Sequence, residues 1–217
     1  MNKVFFDVGL SLDGYLAGPN RRPGNPLGDG AIAIHEWMFA TATFQQTHGA
    51  IPGTRGGGQR GADDDLVRAV VERAGAHVLG KRMFEEGEVG WGEEAPFHAP
   101  VFVLTHAPRG PWVRKGGTTF HFVTGGFAEA LTRAKAAAKG KDVRIGGGAD
   151  TIRQALRAGA IDDFTLHVAP LLLGSVAGQG GLRLFDDLGD LRLLAEPTGA
   201  SHSAKATHLH FRVRSKG

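Results

Sequence analysis

The sequence predicts an α/β fold whose central, mostly parallel sheet is flanked by helices and ends in an antiparallel edge at the C-terminus. Up to residue 168, short apolar segments alternate with segments of helical periodicity, which is typical of parallel strands joined by helices. The last two apolar segments, 191–195 and 206–213, have no helix between them, which favours antiparallel pairing. We find no repeat and no linker, so we expect one domain over residues 1–217.

The first half of the chain begins with an apolar strand at residues 4–10, followed by a glycine-containing turn at 11–18 and a proline-rich loop at 19–30. Residues 32–44 have the apolar spacing of a helix. A glycine-rich loop at 49–61 precedes a helix that opens with Asp63, Asp64 and Asp65, because carboxylates favour the positive end of a helix. The same three carboxylates are candidate ligands of a divalent cation, but no second acidic cluster has a matching spacing.

The rest of the chain continues the alternation. Strands are predicted at 77–79, 101–104, 118–123, 143–145, 164–168, 191–195 and 206–213. Helices are predicted from residue 80, over 127–139 with Gly140 as the stop, and over 151–158. In the last helix Ile152, Ala155 and Leu156 form the apolar face, and we expect Arg153 and Arg157 on the opposite one.

Composition excludes several classes of site. The chain has no cysteine, so disulfides, thiolate metal sites and cysteine nucleophiles are excluded. The formal charge is only +3 and no run of Lys and Arg forms a basic face, which disfavours nucleic-acid binding. The N-terminal apolar stretch is interrupted by Asp7, Gly9 and Asp13, unlike a signal peptide. The apolar segment 168–173 is too short to cross a bilayer. We therefore expect a soluble cytoplasmic protein without membrane partners.

The strongest chemical signal is V-R-I-G-G-G-A-D-T-I at residues 143–152, where a strand ends, three glycines follow and a helix begins. Glycines let a ligand approach the backbone, and the start of a helix attracts anions, so the pattern indicates a site for a dinucleotide pyrophosphate. A tight turn is the alternative. The Rossmann fingerprint fails because Thr151 stands where its third glycine belongs. The P-loop pattern fails because Asp142 follows Gly140-Lys141.

Other polar and aromatic groups leave alternatives open. His208 and His210 alternate with apolar residues along one predicted strand, which places them on a polar face and argues against a metal site with His202. Asp13 either orients a substrate and relays a proton, or caps a turn through its own backbone. Trp37 and Phe39 either stack on a flat heterocycle or belong to the core.

Three segments in order resemble the dihydrofolate-reductase-like superfamily, and in particular the reductase domain of the riboflavin-biosynthesis deaminase-reductase. They are V-G-L-S-L-D-G-Y-L-A-G at 8–18, V-L-G-K-R-M-F-E at 78–85, and the stretch from I-G-G-G-A-D-T-I at 145 to the L-L-L-G that ends at 174. The strand end at 101–105 matches as well. Met83 replaces the threonine of the family's second segment, and residues 19–61 depart from its pattern. A cysteine-free chain has no counterpart of the zinc deaminase domain.

The resemblance implies NADPH as cofactor and a pterin-like or aminopyrimidine substrate, as in 5-amino-6-(5-phosphoribosylamino)uracil reductase and dihydrofolate reductase. It also implies a homodimer, for which the apolar face of 206–213 and the segment 171–173 are candidate interfaces. The alternative is a nucleotide-binding module without turnover, such as a sensor or an assembly subunit. The cofactor-binding residues implied are Val8, Gly14, Gly18, Gly80, Lys81, Arg82, Thr105, His106, Gly146, Gly147, Gly148, Asp150 and Thr151. Asp13 is the candidate catalytic residue, Trp37 and Phe39 are candidate substrate contacts, and no metal is expected.

Overall fold

The computed structural model describes residues 2–49, 57–174 and 180–214, so most of the glycine-rich loop at 49–61 lies outside the described residues. The strands are β1 Val4–Ser11, β2 Tyr15–Ala17, β3 Ala74–Gly80, β4 Pro100–Leu104, β5 Trp112–Val113, β6 Thr119–Val123, β7 Asp142–Gly147, β8 Asp163–Ala169, β9 Leu182–Arg183, β10 Ala195–His202 and β11 Thr207–Val213. The helices are α1 Glu36–Phe39, α2 Ala42–His48, α3 Ala62–Arg73, α4 Lys81–Glu88, α5 Gly126–Ala137 and α6 Ala149–Arg157, with a short 3₁₀ turn at Ile32–Ile34.

The main sheet has the strand order β10-β11-β8-β1-β7-β3-β4-β6-β5. The strands from β8 to β6 in this order run parallel to one another. At one end β11 pairs antiparallel with β8 and with the edge strand β10, and at the other end the short β5 pairs antiparallel with β6. This confirms the α/β sheet with an antiparallel C-terminal edge. A separate two-stranded sheet joins β2 and β9.

The two faces of the sheet differ in chemistry. On one face, alternate residues of the central strands, such as Phe6, Val78 and Ile145, pack with helices α5 and α6 into the main apolar core. Because neighbouring side chains of a strand point to opposite faces, the intervening positions face the other way. There they include the polar residues Asp7, His77, Arg144, His167 and His208. Helices α1, α2 and α3 lie over this face with a smaller apolar cluster of their own.

The helix predicted over 32–44 is wrong as one element, since the structure divides it into the 3₁₀ turn, α1 and α2. Thr41 breaks the run because its backbone is extended, with φ −78° and ψ 150°, and its hydroxyl accepts a hydrogen bond from the amide of Phe44. Thr41 therefore ends one helix and caps the next. By contrast, the helix start at Asp63, Asp64 and Asp65 is confirmed. The helix predicted over 127–139 ends earlier than expected, at Ala137, and the chain then turns at Lys139 and Gly140, which have φ of +49° and +86°.

The strand predicted at 191–195 is also wrong, since the edge strand β10 begins only at Ala195. This strand is exposed along almost its whole length, so it lacks the apolar alternation by which strands are recognised, and Pro197 is tolerated because it lies on an edge. The expectation that Arg153 lies on an exposed face of α6 is wrong. Its side chain is buried and donates hydrogen bonds to the carbonyls of Arg183 and Leu184. No helix among the described residues has the length and apolar character needed to span a membrane.

Candidate functional site

A cleft of about 590 Å³ lies at the carboxyl ends of β3, β4, β6 and β7. Three helices begin at its wall, and each has a glycine as N-cap: Gly80 for α4, Gly125 for α5 and Gly148 for α6. None of these three glycines can offer a side-chain cap, so the first amide groups of the helices are left for other partners. Three helix starts with their positive dipole ends around one cleft make a strong anion site.

Gly148, the last residue of the glycine triplet, lines this cleft. Gly148 has an ordinary extended backbone, and a Cβ atom placed on it would have no atom within 4 Å, so its missing side chain leaves open space. Gly147 has a φ of +119°, which L side chains rarely adopt, and a Cβ there would lie 3.1 Å from the sulfur of Met83. Gly147 therefore serves the turn, whereas Gly148 leaves room for a ligand. Thr151 lines the cleft one turn further on.

Charged side chains surround the same cleft. Lys81 and Arg82 lie in the first turn of α4, and both are exposed. Lys81 pairs with Glu85 at 3.4 Å. Asp150 is exposed at the start of α6 and pairs with Arg153 at 3.1 Å. Arg21, which pairs with Glu86, reaches the cleft from the loop after β2.

Thr105 and His106 complete the rim at the end of β4. The hydroxyl of Thr105 accepts a hydrogen bond from the amide of Ala107 at 3.1 Å and so stabilises the turn that follows β4. His106 is exposed. The structure thus brings eight of the sequence-predicted cofactor residues to the wall of one cleft: Gly80, Lys81, Arg82, Thr105, His106, Gly148, Asp150 and Thr151. Gly146 and Gly147, also predicted, are not among the described residues that line it.

Val8, Gly14 and Gly18, also predicted to contact the cofactor, are not among the described residues that line this cleft. Val8 packs against the apolar core. Gly14 turns the chain between β1 and β2 with a φ of +85°. A Cβ atom at Gly18 would lie 2.0 Å from the carbonyl oxygen of Asp29, so this glycine permits a close backbone contact within the loop.

Asp13 connects the turn after β1 with the segment after β8 through hydrogen bonds. Its carboxylate accepts hydrogen bonds from the Ser11 hydroxyl at 2.6 Å and from the amides of Leu173 and Gly174 at 3.2 and 2.8 Å. Burial raises the pKa of Asp13, but these hydrogen bonds outweigh burial and hold the pKa below its usual value. An ionised carboxylate that accepts three hydrogen bonds is well suited to fixing the loop after β8.

A second, inner cavity of about 200 Å³ lies on the polar face of the sheet. Its wall contains the aromatic side chains of Phe44, Trp91 and Phe97. Gly146 lines this cavity, Gly148 lines the cleft, and Met83 lines both. The glycine triplet therefore lies between the two spaces, and because it carries no side chains, only backbone separates them there.

Three polar side chains from neighbouring strands also line the inner cavity: Asp7, His77 and Arg144. Asp7 and Arg144 pair at 3.3 Å. Burial, together with the charge of Arg144, lowers the pKa of His77 to about 3, so its imidazole is neutral. Within the described residues, Nδ1 of His77 and Nε of Arg144 are buried without a hydrogen-bond partner. Such buried groups are costly unless a ligand or water satisfies them.

The sequence did not single out Asp7, His77 or Arg144 as site residues. The only signal was a polar residue within the predicted strands at 4–10 and 143–145 and at the start of the one at 77–79. Of the two predicted substrate contacts, Trp37 packs on the rings of His167 and His208, with centroids 4.2 and 4.9 Å away. Phe39 packs on His35 and Phe44. Neither Trp37 nor Phe39 is among the described residues that line the inner cavity, whereas Met38 and Phe44 are.

The prediction that His208 lies on a polar face of its strand is confirmed, but this face is not open to solvent at His208. His208 is buried, and its two ring nitrogens contact His167 and Asp63. The strand does alternate as expected, but α1 and α3 cover its polar side. In the described part of the chain no group of three or more His, Asp or Glu side chains has the arrangement of a metal site.

A model of one protein family, the RibD C-terminal domain, matches residues 2–209. No curated protein sequence matches the chain. Among solved structures, a putative riboflavin biosynthesis protein from Shewanella sp. PV-4 is 21% identical, with a TM-score of 0.65 and 99% of both chains covered. A pyrimidine reductase-like protein from Corynebacterium diphtheriae is 13% identical, with a TM-score of 0.55, 99% of this chain and 93% of that chain covered.

Acinetobacter baumannii RibD is 16% identical, with a TM-score of 0.59. The alignment covers 99% of this chain but only 59% of that one, so the present chain corresponds to part of the longer protein. At these identities the structural likenesses show the fold alone, which this chain shares with these three proteins.

Proposed function

Because the chain belongs to the RibD C-terminal domain family, we propose that it is an NADPH-dependent reductase of a small nitrogen heterocycle. The observation that carries the proposal is the pair of spaces on either side of the glycine triplet, an anion-binding cleft and a polar, aromatic-lined cavity. Hydride transfer needs the donor and acceptor carbons in direct contact, about 3–3.5 Å apart, so the two ligands would meet where the spaces adjoin, at Met83, which lines both.

The residues of the cleft fit NADPH. The helix starts at Gly80, Gly125 and Gly148 suit the pyrophosphate. Lys81 and Arg82 suit the 2′-phosphate, since charge-assisted hydrogen bonds are the strongest available to a phosphate, and both side chains are exposed for it. When bound, the cofactor supplies a hydride from its nicotinamide ring. The chain itself binds and aligns the ligands and excludes water.

The inner cavity suits a flat heterocycle with both hydrogen-bond donors and acceptors at its edge. Phe44, Trp91 and Phe97 offer ring faces and edges for apolar packing. The Asp7 carboxylate and Nδ1 of His77 accept hydrogen bonds, whereas Arg144 donates them. Pterins and aminopyrimidines have such edges, so we propose them as the substrate class.

We also propose that the protein is a homodimer. The strand β10 is an open edge of the sheet and is exposed along almost all of its length, and Leu172 in the segment after β8 is 70% exposed. Unpaired strand edges and exposed leucines are surfaces that self-association covers. The apolar face of β11 packs on the main core through Phe211 and Val213, so β10 and the segment 171–173 are the better candidates for the interface.

The test is to follow the loss of NADPH absorbance with a panel of pterins and ribosylaminopyrimidines. We expect oxidation with at least one compound, and none with a Gly148→Val variant under the same conditions. A protein that binds NADPH but oxidises it with no member of the panel would favour the nucleotide-binding module without turnover.

A further inference from the structure

A line of four titratable side chains crosses the polar face of the sheet beneath α1. Nε2 of His167 lies 2.7 Å from Asp7, Nδ1 of His167 lies 2.7 Å from Nδ1 of His208, and Nε2 of His208 lies 3.1 Å from Asp63. The two histidines are directly opposite each other on β8 and β11. Both histidine side chains are 1% exposed. Each imidazole thus contacts one neighbour through each of its two nitrogens.

The hydrogen atoms of this line can be counted. Three hydrogen bonds need three hydrogens, and ionised Asp7 and Asp63 supply none. Two neutral imidazoles carry only two. The line is therefore complete when it holds one additional proton, shared between His167 and His208. Burial and the charge of His167 lower the pKa of His208, although Asp63 opposes this, which disfavours protonation of both rings at once.

The two ends of the line open into different spaces. Asp7 lines the inner cavity. Asp63 lines a separate surface cleft of about 260 Å³, together with Gln59 and His202. Between the ends, Trp37 is 3% exposed and packs against both histidine rings. The imidazoles therefore connect solvent with the inner cavity through a region that the indole ring shields.

We propose that Asp63, His208, His167 and Asp7 form a proton relay that carries protons from the surface cleft to the substrate in the inner cavity. This rests on the proposed function, with a reduced nicotinamide as the electron donor. Transfer of a hydride to the carbon of a C=N bond forms a C–H bond, and the π pair moves onto nitrogen. That nitrogen takes one proton from the Asp7 end, and solvent returns one at Asp63. The substrate gains two electrons and the nicotinamide loses them.

The charges around Asp7 decide where the additional proton rests. Burial raises the pKa of Asp7, but His167 and Arg144 outweigh burial and hold the pKa below its usual value. The proton therefore rests on an imidazole and passes through Asp7 only as the substrate takes it. Within the described part of the chain, the other charged or titratable groups facing the line are Arg144 beside Asp7, His35 beside His167, His210 beside His208, and Arg60, Asp64 and His202 around Asp63.

The relay is tested without substrate by titrating ¹⁵N-histidine-labelled protein by NMR. In the wild type we expect one proton shared between His167 and His208 at neutral pH. In Asp63→Asn, which keeps the shape but removes the negative charge, that proton should be lost at a pH lower by about one to three units. The matched control is Asp65→Asn, because Asp65 is in the same first turn of α3 but pairs with Arg68 outside the line. It should leave the titration unchanged.

Turnover gives a second readout with any panel compound that the wild type reduces. Asp63→Asn should lower kcat by about 100-fold, leave KM and NADPH affinity unchanged, and move the pH profile of kcat together with the histidine titration. The relay would be overturned if both histidines are neutral in the wild type and their titration is the same in Asp63→Asn. It would also be overturned if the pH profile of kcat in Asp63→Asn matched that of the wild type. Absence of turnover in the wild type would count against the proposed function, and the NMR titration would still decide whether the shared proton exists.

Discussion

The cleft and the buried line of Asp7, His167, His208 and Asp63 are built from different material. The cleft lies at three strand-to-helix junctions, and much of its chemistry comes from helix starts that their glycine N-caps leave open. The buried line is made of side chains from three strands and one helix. The cleft depends on glycines, which leave the helix starts accessible to a ligand. The buried line depends on side chains that hydrogen-bond to one another.

This difference has energetic consequences. A helix start tolerates many changes of side chain nearby because its partial charge comes from the peptide groups. The buried line is sensitive to the loss of any one of its side chains, because the remaining partner is then buried without a hydrogen bond. We therefore expect the cleft to be vulnerable to added bulk and the line to be vulnerable to lost groups.

The largest effect expected in the cleft is that of Gly148→Val. The backbone of Gly148 is one that valine adopts, with φ −70° and ψ −165°, and no atom obstructs the new side chain. The fold should keep its melting temperature, but NADPH binding should fall below detection because the side chain occupies the pyrophosphate position. Calorimetric titration and thermal unfolding on the same sample measure both.

Gly147→Val is the matched comparison one residue away. A side chain at a φ of +119° costs about 1–3 kcal/mol of strain, so this variant should lose several degrees of melting temperature. If Gly148→Val binds NADPH like the wild type, the cleft is not the pyrophosphate site. If it is instead Gly148→Val that melts early, the turn rather than the ligand requires that glycine.

A smaller effect is expected from Arg82→Ala. Each charge-assisted contact with the 2′-phosphate contributes about 1.5–3 kcal/mol, so the variant should lose about 10- to 150-fold in NADPH affinity and little in NADH affinity. Asp63→Asn, in the buried line, should keep the wild-type affinities for both. Equal losses for NADPH and NADH in Arg82→Ala would place Arg82 elsewhere than at the 2′-phosphate.

The sequence predicted the cleft better than the line for a physical reason. The three glycines at 146–148 follow one another in the chain, and so do Lys81 and Arg82. Each group therefore forms a short local pattern that the sequence shows directly. Alternation correctly indicated that His208 shares a side of its strand with His210, but alternation does not say which side a helix later covers. Asp7 and His167 are 160 residues apart, and their contact depends on a strand register that no local pattern specifies.

The most direct test of the account is a titration of the wild-type protein with NADPH and with NADH. The exposed Lys81 and Arg82 beside three glycine-started helices predict that both cofactors bind and that NADPH binds at least about tenfold more tightly, as one charge-assisted phosphate contact requires. Equal affinities would contradict the 2′-phosphate site, and failure of both cofactors to bind would contradict the dinucleotide cleft itself.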